Sequence, residues 1–339
     1  MKKITIILAL LILTILAGCT QATAQEEDRF IVVSTIFPSY DWTRQIIGDN
    51  ITLFNLSFLT DSGVDLHSYQ PTVGDITRII SSDIFIYVGG KSDGWVTRVL
   101  NESANPNMIV INLMDILEDT MGIGNGDCEH HHHDCEHHHH DCEYHHHDCE
   151  HHLHDCEHHH IIHEDEHIWL SLNFAKILST AIAEALIQLD PTNAELYLSN
   201  LSTYISELST LSTRYQNMVN SATKSTVLFA DRFPFRHLMN DFGISYYAAF
   251  PGCSAETEAS FSTITFLIGR VNYLGLTNIL VTESSDKALA QTITRDSLMN
   301  PQILVLDSMQ SVTTRDVRDG NTYLSIMERN LNVLEESLN

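Results

Sequence analysis

Ile31-Val32-Val33, Ile84-Phe85-Ile86-Tyr87-Val88 and Met108-Ile109-Val110-Ile111 are apolar at every position rather than at every second one. A strand of that kind needs cover on both faces, which is the condition of parallel sheets crossed by helices. The intervening chain supplies the cover: helices over Pro38 to Ile47, Thr72 to Ile80 and Ser92 to Leu100, with Ile51 to Phe58 as a further strand. The pattern returns near the C-terminus. Strands are expected over 225–230, 244–248, 279–282 and 303–306, helices over 235–241, 258–273 and 286–298, and a last helix over 322–338. Between the two sets lie a helix over 168–188 and, after Asp190-Pro191 and a capping Thr192, one over about 193–221 with Leu196, Tyr204, Leu208, Leu211 and Tyr215 along one face. At 1.5 Å per residue the second of these is about 40 Å long, more than a crossover needs. The expected fold is therefore α/β: two βα lobes joined by a long, rigid spine helix, with a ligand site in the cleft where the strands end.

The stretch between the first lobe and those helices cannot build a core. From Asp127 it reads DCEHHHH-DCEHHHH-DCEYHHH-DCEHHLH-DCEHHHI-IHEDEH, and residues 127–163 hold eighteen histidines, five cysteines, ten carboxylates and no Lys or Arg. Without an apolar a/d seam the seven-residue period is no coiled coil. Imidazole, thiolate and carboxylate together suit borderline-soft zinc, so His130, His131, His132, His133, His137, His138, His139 and His140 are accessory metal ligands in an otherwise mobile insertion. Pairing of the repeat cysteines as disulfides is the alternative to ligation.

The formal charge is -26, of which the repeat carries -10. That balance excludes a nucleic-acid partner and favours cations. Met1-Lys2-Lys3 followed by an apolar or small run from Ile4 to Ala17 is a signal peptide, too short for a permanent span. It ends in Leu16-Ala17-Gly18-Cys19, which resembles a bacterial lipobox and implies lipid on Cys19. The division expected is a signal peptide over 1–18, a tether over 19–28, an N-terminal lobe over 29–126, the metal-binding loop over 127–163, a helix completing that lobe over 164–190, the spine over 191–222 and a C-terminal lobe over 223–339.

Two segments carry more specific information. Asp65-Leu66-His67-Ser68-Tyr69-Gln70-Pro71-Thr72 is followed by Asp75 and by a strand ending in Gly89-Gly90, and the repeat ends in Asp165-Glu166-His167-Ile168-Trp169-Leu170. These resemble the two signature segments of TroA-like, ZnuA-type substrate-binding lipoproteins of zinc and manganese ABC importers. The resemblance covers nearly all of the chain after Gly18, and it implies that His67 and His167 are metal ligands. The residues themselves agree: an imidazole on a strand-end loop can offer Nε2 while a carboxylate orients Nδ1, and Asp65, Glu164 and Glu166 are near enough to do so.

The second lobe departs from the family pattern. The resemblance places a third ligand after its first strand, where the chain reads Leu228-Phe229-Ala230-Asp231-Arg232-Phe233-Pro234-Phe235-Arg236-His237, so Asp231 is the candidate and His237 a core or surface residue. Helix capping or pairing with Arg232 or Arg236 is Asp231's competing role. Asp307 fits the fourth place, with Glu283 as competitor. Pro251-Gly252-Cys253 falls in a family loop, where Cys253 is read as a buried thiol.

The resemblance implies an extracytoplasmic, lipid-anchored monomer that binds Zn2+ as cargo and delivers it to an ABC permease and its ATPase. A manganese-specific protein and a surface zinc buffer or adhesin are the alternatives. A hydrolase is not expected, because no H-E-x-x-H lies on a segment read as helix.

Overall fold

The computed structural model describes residues 29–103, 105–122, 165–251 and 259–339. The signal peptide, tether, Cys19, the repeat and Cys253 lie outside the described residues.

The first sheet is built from β1 (Phe30–Ser34), β2 (Phe54–Phe58), β3 (Ile84–Tyr87) and β4 (Ile109–Asn112), with α1 (Phe37–Ile47), α2 (Val73–Ile80), α3 (Val96–Leu100) and α4 (Leu113–Thr120) between and after them. All pairings are parallel and the order is β2-β1-β3-β4. Ile84, Phe85 and Ile86 are buried, as a strand covered on both faces requires. The expected strand over 51–58 begins late, because Gly48–Leu53 forms a 3-10 turn. Helix α4 was not expected at all. It starts without a loop, since Asn112 both ends β4 and caps α4 by accepting from the N–H groups of Met114 and Asp115.

After the repeat come a 3-10 turn at Ile168–Leu170, α5 (Leu172–Leu189) and α6 (Ala194–Ser221). Helix α5 has the length and composition of a membrane span, yet it buries Leu172, Ala175, Leu178, Ile182 and Leu186 in the main core. Thr192 does not cap α6. It falls in the 3-10 turn Pro191–Asn193, and Asn193 occupies the cap position without a side-chain bond. The buried stripe of α6 runs Tyr197, Tyr204, Leu208, Leu211, Tyr215 and Met218, so Tyr197 rather than Leu196 begins it.

The second sheet comprises β5 (Thr226–Phe233), β6 (Ser245–Pro251), β7 (Asn278–Thr282) and β8 (Gln302–Leu306), with α7 (Arg236–Phe242), α8 (Phe261–Leu274) and α9 (Ala288–Asp296) as cover. It repeats the order of the first, β6-β5-β7-β8, again all parallel. α10 (Thr314–Arg318) and α11 (Tyr323–Leu338) finish the chain, each opened by a threonine capping box.

One apolar cluster runs from β1 and α1 through α5 and α6 into β5, α7 and α11, so the two sheets share a core. Polar bonds pin the seam. The buried carboxylate of Asp41 on α1 accepts from the Tyr323 N–H at 2.8 Å, at the start of α11. The Tyr323 hydroxyl donates to the Trp169 carbonyl at 2.8 Å, and the Trp169 indole donates to the Ser308 carbonyl at 2.9 Å. Tyr215 on α6 donates to the Met327 carbonyl at 2.6 Å. A sheet that switches direction between its first and third strands opens a crevice there, and both sheets do so.

Candidate metal centre

The signature histidines, a hundred residues apart in sequence, meet. Their Nε2 atoms lie 3.0 Å from one another. His67 sits in the 3-10 turn Leu66–Ser68 after β2, and His167 immediately precedes the turn Ile168–Leu170. His167 is 2% exposed, whereas the His67 side chain is 23% exposed, so solvent reaches the pair from the His67 side.

Each ring is oriented through Nδ1. His167 Nδ1 lies 2.5 Å from Asp165 Oδ1, which also accepts the His167 N–H at 3.1 Å. Burial alone would raise the Asp165 carboxyl, but the hydrogen bond and charge of His167 outweigh it and hold it below the usual range. An ionised carboxylate only accepts, so the neutral His167 ring carries its proton on Nδ1 and turns Nε2, as an acceptor, toward His67.

His67 Nδ1 lies 2.7 Å from Ser92 Oγ and 3.4 Å from Glu166 Oε2. The other Glu166 oxygen accepts from the Lys91 and Ser92 N–H groups, the latter at 3.0 Å. Burial raises Glu166, yet bonds from His67 and Ser92 bring it down to about 2, so it stays ionised at any working pH. Gly90 makes this possible: its φ is +76°, and a Cβ there would come within 2.5 Å of Glu166 Oε1. Residues 165 and 166 thus divide the work, Asp165 orienting the adjacent histidine and Glu166 the distant one.

The result is two Nε2 atoms facing each other within hydrogen-bond distance, and a cation bound between them would take both as donors once neither carries a proton. Two Zn–N bonds of 2.0–2.1 Å at a tetrahedral angle put the nitrogens about 3.3 Å apart, close to the spacing here. His163-Glu164-Asp165-Glu166-His167 does have H-E-x-x-H spacing, but Asp165, Glu166 and His167 are not helical, so the helical face that motif needs in a protease is missing.

The second-lobe candidates are placed differently. Asp231 lies inside β5, which extends three residues beyond the expected strand, at an irregularity in the β5–β6 register. Its Oδ2 accepts from the Thr282 N–H at 3.1 Å and hydroxyl at 2.7 Å, and its Oδ1 from the Arg232 N–H at 2.8 Å, so it braces β5 against β7. Glu283 accepts from the Ser308 N–H and hydroxyl, each at 2.8 Å, and from Ser311 at 3.2 Å. Asp307 Oδ1 accepts from the Met309 N–H at 2.8 Å. Burial and the Glu283 charge raise the Asp307 carboxyl to about 6. No group of three or more His, Cys, Asp or Glu side chains able to hold a metal forms among the described residues.

His237, read from the sequence as a core or surface residue, is buried and reaches the site from the second lobe. Its Nε2 donates to the Asp165 carbonyl at 2.9 Å, and burial lowers its pKa. The sequence held one signal for it: with eighteen of the 21 histidines in the repeat, only His67, His167 and His237 remain.

The sequence matches the family described as zinc-uptake complex component A, periplasmic (ZnuA), over residues 32–337. The chain belongs to this family. Among its relatives, the zinc-binding lipoprotein AdcA of Streptococcus pneumoniae is 27% identical over 99% of this chain, and the high-affinity zinc uptake system protein ZnuA of Bacillus subtilis is 26% identical over 92% of this chain and 88% of its own length. The chain spans 61% of the length of AdcA. The Zn(II)-bound ZnuA-like domain of S. pneumoniae AdcA shares the fold, with a TM-score of 0.66 over 91% of this chain and 99% of that domain, at 23% identity.

Proposed function

We propose that this ZnuA-family protein is the zinc-capturing component of an ABC importer, with His67 and His167 as the ligands that hold Zn2+ before it passes to a permease driven by its ATPase. The observation that carries the reading is the 3.0 Å approach of two Nε2 atoms whose Nδ1 atoms are both fixed by protein groups. Imidazole pairs of this kind favour zinc over manganese, which prefers oxygen donors. Asp307 is the second-lobe carboxylate we assign to the ion, because only its Oδ1 is engaged, whereas Asp231 and Glu283 use both oxygens to brace the sheet. Binding and release make and break only coordination bonds and transform no substrate, so the protein acts as a carrier rather than an enzyme. Lipid on Cys19 keeps the monomer at the outer face of the membrane, and the repeat over 127–163 supplies weaker, accessory zinc sites.

Zinc titration of the full chain against a competing chelator tests this. One tight site is expected, lost in H67A and in H167A and retained when residues 127–162 are deleted. Loss of the tight site on that deletion would make the protein a surface zinc buffer, and a tighter site for Mn2+ than for Zn2+ would make it a manganese carrier.

A further inference from the structure

The two histidines are carried by copies of one local device. In Asp65-Leu66-His67 and in Asp165-Glu166-His167 the aspartate Oδ1 accepts the N–H of the histidine two residues on, at 2.9 Å and 3.1 Å. In each, the other carboxylate oxygen faces an arginine from the second lobe. Arg232 Nη1 is 3.9 Å from Asp65 Oδ2, and Arg236 Nε is 3.6 Å from Asp165 Oδ2. Both arginines come from one short stretch, the end of β5 and the start of α7, and His237 in that stretch also grips the Asp165 carbonyl.

We propose that Arg232 and Arg236 are positioning residues for metal capture, through which one segment of the second lobe steadies the backbone turn that carries His67 and the carboxylate that orients the His167 ring. The inference rests on His67 and His167 being the zinc ligands. A carboxylate beside a bound dication has two options, to hold its histidine, through the backbone N–H for Asp65 and also the ring for Asp165, or to turn and ligate the ion itself. A guanidinium on its far oxygen holds it to the first. The pairs differ in burial. Arg236 and Asp165 are 25% and 3% exposed, so their attraction is little screened, whereas Arg232 and Asp65 are 39% and 27% exposed and weaken with salt. Because both turns are held by the same segment, a shift of β5 and α7 away from the first lobe loosens both histidines together and couples zinc release to the placement of the lobes.

The test is the tight-site zinc affinity of the full chain, measured by chelator competition. R236Q is expected to weaken it about tenfold, the low end for groups that orient metal ligands, and R232Q only about two- to fivefold, because its pair is more exposed. R236K should recover most of the R236Q loss, since a 3.6 Å single contact needs charge more than the guanidinium fork. D165N/R236Q should be no weaker than D165N alone, a non-additivity that general destabilisation would not produce. Wild-type affinity in R236Q, or a full R236Q penalty on top of D165N, overturns the proposal. If R236Q does not fold, R232Q at low and high salt decides, and an affinity unchanged at both overturns it. The H67A and H167A controls separate the two ideas: retention of the tight site in either one defeats the ligand assignment, while its loss with wild-type arginine variants defeats only the role given to the arginines.

Discussion

The candidate groups beside the first sheet are two imidazoles and those of the second lobe three carboxylates, although both sheets have the same strand order. In the first lobe, carboxylates serve the histidines: Asp165 accepts from the Nδ1–H of His167, and Glu166 faces Nδ1 of His67, so the two Nε2 atoms meet. In the second, carboxylates serve the protein: Asp231 replaces a ladder bond to Thr282, and Glu283 ties down Ser308. The two histidines are held by their carboxylates, whereas of the second-lobe carboxylates Asp231 and Glu283 are committed to their own sheet and Asp307 has only Oδ1 engaged among the described residues. Under the proposed function, affinity rests mainly on the two histidines, and the variants below test that division.

The sharpest way to break this contrast is to remove a histidine. H167A and H67A are expected to weaken the tight zinc site by about 100-fold or more, since each deletes a ligand rather than its support. An affinity within tenfold of wild type in either variant would show that affinity does not rest mainly on the two histidines. E166Q comes next. The amide keeps an acceptor for the Lys91 and Ser92 N–H groups but loses the charge that holds the His67 proton on Nδ1, so a loss of about 10- to 100-fold is expected with little change in melting temperature.

A smaller effect separates the second-lobe carboxylates. D307N should reduce zinc affinity while leaving the apo protein at least as stable, because burial and Glu283 already disfavour the Asp307 charge. D231N should lower the melting temperature of the apo protein by about 1–2 °C, equivalent to about 1 kcal/mol, through the Thr282 bonds, with little effect on zinc. The reverse outcome would exchange their roles.

The smallest expected effect lies beneath His67. Asp93 is buried and accepts from the Val88 and Gly89 N–H groups. Burial first, then the charge of Glu166, raise its carboxyl to about 7. A carboxyl whose folded pKa is raised stabilises the fold below its unfolded value near 4, and that contribution is lost as pH rises through about 7. D93N should therefore melt about 2–4 °C above wild type at pH 8, with the difference shrinking by pH 5, as differential scanning would show. A constant difference across that range would mean that the charge of Asp93 is not what matters.

Much of the fold was legible because it is locally encoded. Strands buried on both faces declare themselves by unbroken apolar runs, and Thr72 and Thr322 cap the helices they precede. The misreadings share a cause. Residues 51–53 look like strand because they run into the apolar alternation of β2, but Gly48–Leu53 forms a turn that continues from the end of α1. Helix α4 was hidden because Asn112 serves strand and cap at once, and β5 was cut short because Asp231 reads as a strand terminator when its partner, Thr282, lies far off in sequence.

By itself the sequence determined the two βα sets, the long helix between them and the pair of Asp-x-His segments, since these follow from periodicity, turn chemistry and spacing within a few residues. Only the tertiary structure decided that His67 and His167 meet at 3.0 Å, that Glu166 orients the ring a hundred residues away, and that Asp231 turns to Thr282. Arg232, Arg236 and His237 reaching the aspartates of the other lobe belong with these. The physical reason is that a carboxylate or imidazole takes its role from whichever partner the packed sheets bring within about 3 Å, and no local rule of sequence names that partner.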